Sequence, residues 1–481
     1  MKRRTVSTLI IILIFLFPGT LWAEAWTGSI EKDVVVKLDS GWQYRWEDGS
    51  VDDGWRDINV LEKPSGRGSS KILRMRIVLP DGKWDYPSVL LTSVHKTFEC
   101  FLDGTLIYRY GTLNPEDNGR HAGFGPWHMI PVGTDYKGKV LELRIYSDDA
   151  DIGIYGKVEL GTRVEHLRLL VVQTLDQLII GIFLFIVGLF AAILYCVNRV
   201  KPAYLAFAGM SVSSGLFAIS LNPVRQLFYN APLFWSYILL FSLIFSSLFD
   251  FLLIESLFGA GYKSYIRRMW QFHLIYAVPV CLLILFDPSQ MLFVTRLHEL
   301  VSSVEAVIVI IAVASILRKG VEGRVFAFGY SFAMLFMFTD MLIDLRIINT
   351  TYKSHLGAFL FTVSIAVILI RRFVEIHRLA AKDSLTGLYN RRFFFEQAER
   401  EFDRSMRSDR PLSMVILDID NFKVLNDTYG HMAGDKALSI IAEKCIQCMR
   451  KSDIIGRYGG EEIIMLLPET PVKEASEISE R

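Results

Sequence analysis

The chain has 481 residues, with 52 basic and 51 acidic side chains and a formal net charge of +1. That balance leaves no electrostatic footprint for nucleic acid or for an acidic partner. The hydrophobic content of 52% is high for a soluble protein and is concentrated in the middle of the chain, between polar segments at 24–165 and 371–481; this is the composition of a membrane protein.

In chain order, Lys2, Arg3 and Arg4 precede an apolar run at 9–17, then Pro18, Gly19 and the small residues Ala23 and Ala25. This pattern predicts a signal peptide over 1–25, with an uncleaved anchor as the alternative. Either exports the segment that follows. Residues 26–167 read as an all-β domain. Alternating or apolar stretches at 72–79, 88–93, 97–102 and 140–146 are separated by turns such as Asp81-Gly82, Asp103-Gly104 and Asn118-Gly119, which suggests a sandwich or jelly roll. Trp42, Trp46, Trp55, Trp84 and Trp127 can stack on a flat ligand such as a carbohydrate, but core packing is the expectation for most of them. Cys100 has no exported partner for a disulfide.

Seven apolar segments follow within 168–371, near 177–197, 203–221, 232–254, 270–286, 298–317, 325–343 and 355–370. Each approaches the ~20 residues that cross a bilayer. Arg199 and Lys201 follow the first, Lys263, Arg267 and Arg268 the third, Arg318, Lys319 and Arg324 the fifth, and Arg371 and Arg372 the seventh. The alternate loops carry only Arg225, Arg296, and then Arg346 with Lys353. The positive-inside rule therefore places the N-terminal domain outside and the C-terminus in the cytoplasm. Asp250, Glu255, Glu299, Glu305, Asp340 and Asp344 lie in or near these segments. Of these, Glu305 and Asp340 are the strongest candidates for a ligand or transport role. A short charged helix at 372–382 carries Phe373, Ile376, Leu379 and Ala380 at helical spacing, a stripe suited to pairing two chains or to packing on the next domain.

The last segment, 383–481, reads as alternating helices and strands. A helix follows Asn390-Arg391-Arg392, a strand covers 413–419, an amphipathic helix covers 435–449, and strands at 454–457 and 463–467 flank Gly459-Gly460. The glycines are expected to supply turn conformations that other residues resist. Cys445 and Cys448 lie on the helix with no second ligand pair for zinc. Asp418 at a strand end and Glu461 and Glu462 after the turn can converge on one sheet edge. Three such carboxylates suit an oxygen-liganded divalent cation in phosphoryl chemistry, and equally a solvated acidic turn.

Five motifs decide between these. D-S-L-T-G-L-Y-N-R-R at 383–392, D-I-D-N-F-K-V-L-N-D at 418–427, Y-G-H-M-A-G-D at 429–435, R-K-S-D at 450–453 and R-Y-G-G-E-E at 457–462 resemble, in order and spacing, the GGDEF family of diguanylate cyclases. The upstream arrangement resembles bacterial seven-transmembrane receptors with diverse intracellular signalling modules. Together the resemblances imply a multi-pass protein of the bacterial inner membrane. A periplasmic jelly-roll-like sandwich with an unidentified ligand would precede the seven-helix bundle, and a cytoplasmic palm-like α+β domain would follow it. That domain would work as a homodimer condensing two GTP into cyclic di-GMP and two pyrophosphates. Asp418, Glu462, Glu461 and the Ile419 carbonyl would hold Mg²⁺ or Mn²⁺, with Glu461 and Glu462 serving catalysis. Phe422, Lys423, Asn426, Asp435, Gly459 and Gly460 would contact GTP, Asn426 and Asp435 reading guanine. Arg450 and Asp453 match the product-inhibition motif R-x-x-D.

Two departures stand out. Ile463 replaces the signature phenylalanine, and the family pattern continues beyond Arg481 with a further strand and basic helix. An incomplete, impaired domain is therefore expected, with an edge left open beside 413–419. Two other readings remain: a receptor binding cyclic di-GMP through Arg450 and Asp453 without making it, and a transporter with a regulatory domain.

Overall fold

The computed structural model describes residues 35–47, 54–60, 62–94, 96–113, 125–148, 152–198, 202–344, 352–379 and 381–480. The expected signal peptide, the Asn118-Gly119 turn and the orientation charges Arg199, Lys201 and Arg346 lie outside these residues. The chain divides into two compact units, Met1–Ala366 and Val367–Arg481.

Among the described residues the first unit opens with ten strands: β1 Val35–Lys37, β2 Trp42–Trp46, β3 Arg56–Ile58, β4 Ile72–Val78, β5 Pro87–Leu91, β6 Thr97–Leu102, β7 Thr105–Tyr110, β8 His128–Pro131, β9 Val140–Tyr146 and β10 Val158–Thr162. They form two sheets, ordered β1-β10-β5-β8 and β3-β2-β4-β9-β6-β7, antiparallel throughout. Period-two alternation explains the sidedness. On β4, Leu73, Met75 and Ile77 are buried; on β9, Leu141, Leu143 and Ile145 are. The inner faces of both sheets share one core, with Trp42, Phe98 and Leu143 from the larger and Val89, Ile130 and Leu160 from the smaller.

The tryptophans divide by role. Trp42 and Trp46 are buried in that core and Trp84 packs against it. Trp55 instead lies under Arg76 and Arg45, with guanidinium carbons 4.0 and 4.6 Å from its ring centre. All five cysteines are free, and burial pushes the Cys100 thiol up to about 12.

Strand β10 runs directly into α1, Arg163–Asn198. Then come α2 Pro202–Leu221, α3 Pro232–Phe258, α4 Tyr265–Phe286, α5 Met291–Ile316, α6 Gly320–Asp344 and α7 Ser354–Leu379. All seven are long and apolar enough to cross a membrane. Helices α1 and α2 approach through glycine: a Cβ at Gly215 would stand 2.6 Å from Phe185 N, and one at Gly188 would stand 2.8 Å from Ala208 O. Small residues serve this purpose wherever helices cannot rely on water to drive them together.

Most intramembrane carboxylates have plain structural partners. Asp340 accepts from the backbone N–H of Lys353 (2.8 Å) and Ser354 (2.9 Å), which caps α7. Glu255 pairs with Arg267 and Glu299 with Arg296. The turn after α2 reaches the β-region. Trp127 N donates to Gln226 Oε1 (3.0 Å), Gln226 Nε2 donates to Trp127 O (2.9 Å), and the Trp127 indole donates to Pro223 O (2.9 Å).

The second unit contains β11 Tyr389–Asn390, α8 Arg391–Ser408, β12 Leu412–Leu417, α9 Phe422–Tyr429, α10 His431–Cys448, β13 Ile454–Gly459, β14 Glu462–Pro468 and α11 Val472–Ser479. The sheet order is β11-β13-β14-β12, with β11 parallel to β13 and the other pairs antiparallel. Ile463 and Met465 pack with Ala442 of α10, whereas Ile464 and Leu466 pack with Phe394 and Ala398 of α8. Burial on both faces accounts for the unbroken apolar run of β14. Ile463 is fully buried, so the departure from phenylalanine is a packing change. Among the described residues β12 is one of the two sheet edges, with Met414 49% and Ile416 60% exposed.

Trp42 fills the β-region core and donates its indole N–H to Leu38 O at 2.7 Å. Trp42→Ala is expected to cost about 3–5 kcal/mol, seen as a lower denaturation midpoint of the detergent-solubilised chain; an unchanged midpoint would show that the core is organised otherwise.

Candidate functional site

The C-terminal end of β12, the C-terminal end of β13 and the N-terminal end of β14 meet at one end of the second unit's sheet. The ladder pairs Leu417 with Ile463. Asp418 follows β12 directly and Glu462 opens β14, so continuing the register by one pair sets the two residues opposite each other. Glu462 also faces Gly459 across the hairpin, leaving Gly460 and Glu461 as the turn.

The turn differs from its expectation in one respect. Neither Gly459 nor Gly460 has positive φ; an irregularity between Arg457 and Gly459 supplies the bend instead. The glycines matter for their missing side chains. A Cβ on Gly459 would stand 2.9 Å from Glu462 Oε2, and one on Gly460 would project into open space.

Two residues given no role by the sequence reading hold this turn. Arg457 donates to Gly460 O from Nε (3.1 Å) and Nη2 (2.7 Å), while its Nη1 pairs with Asp383 Oδ1 at 3.1 Å. That oxygen also accepts from Thr386 N (2.9 Å) and Thr386 Oγ1 (2.7 Å). The D-S-L-T and R-Y-G-G motifs are thus ends of one network, a signal visible only once spacing becomes contact. Burial opposes ionisation of Asp383, but hydrogen bonds from Thr386 and the Arg457 charge outweigh it and hold the carboxyl below its usual range.

The Ile419 carbonyl accepts from Phe422 N at 3.3 Å, which starts α9 at once after the site strand. Phe422 is buried and Lys423 exposed. Asn426 on α9 sits against the start of α10, where a Cβ at Gly434 would lie 1.9 Å from Asn426 Oδ1. Only glycine leaves the Asn426 amide where it stands, and the next residue is the exposed Asp435. Asn426 and Asp435 are therefore brought together.

Arg450 and Asp453 stand at the opposite end of β13, roughly 16 Å along the strand. Asp453 Oδ2 accepts from Arg450 N at 2.7 Å, while the Arg450 guanidinium makes no ion pair among the described residues. Also among the described residues, no three His, Cys, Asp or Glu side chains group as metal ligands. Carboxylates and backbone carbonyls are the kind of oxygen donor that suits Mg²⁺, which takes its remaining ligands from phosphates and water.

Residues 380–481 match the family model described as diguanylate cyclase, GGDEF domain, and residues 173–372 match that of 7TM diverse intracellular signalling. The chain therefore carries a GGDEF domain joined to a seven-helix signalling region. Its C-terminal part is 45% identical over 102 residues to the diguanylate cyclase DgcP of Pseudomonas aeruginosa, covering 21% of this chain and 15% of that protein. It is 41% identical over 103 residues to the response regulator PleD of Caulobacter vibrioides, covering 21% of this chain and 23% of that protein. The chain thus spans a quarter or less of each of these two relatives. Among solved structures it is similar to the active GGEEF domain of a diguanylate cyclase from Vibrio cholerae, at 38% identity, 19% and 58% coverage and a TM-score of 0.19.

Because the folded Asp383 pKa lies below its unfolded value, its contribution is complete above about pH 4 and is lost as pH falls through the folded value. Asp383→Asn is expected to destabilise the chain by about 1 kcal/mol at pH 7 and by much less at pH 3. Denaturation midpoints at the two pH values check this.

Proposed function

We propose that the chain is a membrane-bound sensor diguanylate cyclase, which condenses two GTP into cyclic di-GMP and two pyrophosphates. The observation that carries this reading is the register placing Asp418 beside Glu462 at a turn whose Gly460 position is open. In each half of a homodimer, Asn426 and Asp435 hold guanine, the Asp435 carboxylate accepting from the adjacent N–H groups of its edge. The bare Gly459-Gly460 backbone admits the phosphates. Asp418, Glu461, Glu462 and the Ile419 carbonyl are the residues that would hold Mg²⁺ (or Mn²⁺), which when bound neutralises charge on the phosphates. Glu461, shared with that site, serves the 3′-hydroxyl that attacks the α-phosphorus of the other GTP as pyrophosphate leaves.

The sensing input is assigned to the β-region, as a periplasmic jelly-roll-like domain over 26–167 in the bacterial inner membrane, with the GGDEF domain in the cytoplasm. The direct run of β10 into α1 and the Trp127–Gln226 contacts support that input, since both tie the β-region to the helices without a spacer. Arg450, its guanidinium without an ion pair among the described residues and its neighbour Asp453 fixed in the turn, suits a product phosphate. The same feature supports the second reading, a receptor that binds cyclic di-GMP without making it.

Purified full-length chain with GTP and Mg²⁺ decides. Cyclic di-GMP is expected from the wild type, with a loss of about 10³-fold or more in Asp418→Asn and Glu462→Gln. Absence of product together with calorimetric binding of cyclic di-GMP that Arg450→Ala abolishes would establish the receptor instead.

The glycine contact yields a separate expectation. Gly434→Ala pushes the Asn426 amide away and is expected to raise KM for GTP by about tenfold, the worth of one good hydrogen bond, with little change in stability. An unchanged KM would remove Asn426 from guanine binding.

A further inference from the structure

One group of titratable side chains inside the helical bundle is left without a role by the cap and ion pairs of Asp340, Glu255 and Glu299. It draws Asp250 from α3, His273 and Tyr276 from α4, His298 and Glu305 from α5, and Tyr330 from α6. His273 Nδ1 lies 2.7 Å from Glu305 Oε1, and its Nε2 lies 2.9 Å from Ile244 O. A carbonyl only accepts, so Nε2 carries a hydrogen. A second proton lies between Nδ1 and the carboxyl, and the pair is neutral whichever atom holds it.

The neighbours are less well provided for. The His298 ring centre is 6.0 Å from that of His273 and 6.2 Å from that of Tyr276, nearly parallel to the latter. His298 is 1% exposed. Among the described residues, neither of its ring nitrogens, nor Asp250 Oδ1, nor the Tyr276 hydroxyl meets a hydrogen-bonding protein group. Asp250 is within electrostatic reach of Glu305 and His273. Tyr330 is within electrostatic reach of Asp250 and Glu305, and Tyr276 within reach of Glu305 and Cys281.

Buried polar atoms of this kind are costly in hydrocarbon and mark function by default. Their chemistry limits the occupant. No three His, Cys, Asp or Glu among the described residues are arranged for a metal ion. Carboxyl and imidazole groups, however, both change their hydrogen-bonding pattern on gaining one proton.

We propose that Asp250, His298 and Tyr276, set against the neutral His273–Glu305 pair, form a proton-binding site within the seven-helix region. Uptake moves one proton from water to Asp250 or to a His298 nitrogen. The charge shared by α3, α4 and α5 rises by one, and nothing is oxidised or reduced. Each protonation state favours a different set of hydrogen bonds among three helices, so the site biases their packing. It is independent of whether the C-terminal domain makes cyclic di-GMP.

Infrared difference spectra of the full chain in lipid nanodiscs, taken between low and high pH, test this. The expected result is a protonated-carboxyl C=O band that Asp250→Asn removes, with a midpoint that His298→Gln displaces by about one pH unit or more. Circular dichroism shows whether each variant keeps its helices. Should Asp250→Asn fail to fold, Asp250→Glu decides: the band must persist at a shifted frequency. A band unaffected by any substitution at 250, with a midpoint that His298→Gln leaves in place, overturns the proposal.

Discussion

The β12–β14 ladder carries the C-terminal unit. Six antiparallel pairs run from Leu412 with Pro468 to Leu417 with Ile463, and β14 is held on its other side by β13. A slip of one residue would turn Ile463 and Met465 away from α10 and bring Ile464 and Leu466 with them onto the wrong face. The same slip would part Asp418 from Glu462. Burial of β14 on both faces forbids it, so the core fixes the spacing of the charged residues at the sheet end. Helix α9 begins from that strand end through the Ile419–Phe422 hydrogen bond, and the Asn426–Gly434 approach is set in turn.

Much of this was legible from residue patterns. Strands at 97–102 and 140–146 match β6 and β9 to the residue, because both are short apolar-rich stretches, the first closed by the Asp103-Gly104 turn. Helix α9 was not legible. It has eight residues, begins after Asn421 at φ 56° and is separated from α10 by Gly430 alone at φ 82°, so no long apolar period announces it. The contacts of Asp383 with Arg457 were hidden for another reason. Seventy-four positions separate the partners, and a sequence shows such pairs only as two unrelated motifs.

The membrane-crossing helices show the complementary failure. Each was found, but α5 begins at Met291, seven positions before the apolar run that predicted it. Arg296, His298 and Glu299 depress hydropathy in that turn although His298 is buried. Hydropathy counts every polar side chain as a cost, whereas the fold buries His298 all the same. Asp340 looked like a candidate for ligand binding and proves to be a cap; Glu305 looked similar and is bonded to His273. Partnership, which pattern cannot see, separates the two.

The Trp127–Gln226 joint has a consequence for how such a protein diversifies. Two of its three hydrogen bonds use the main chain of residue 127, with the glutamine amide standing in for a peptide group. Only the indole bond to Pro223 O depends on the side chain at that position. On the other side, Asn222 ties the same turn to Thr174 O of α1. A substitution at position 127 therefore touches one of the three bonds and leaves the other two to the main chain.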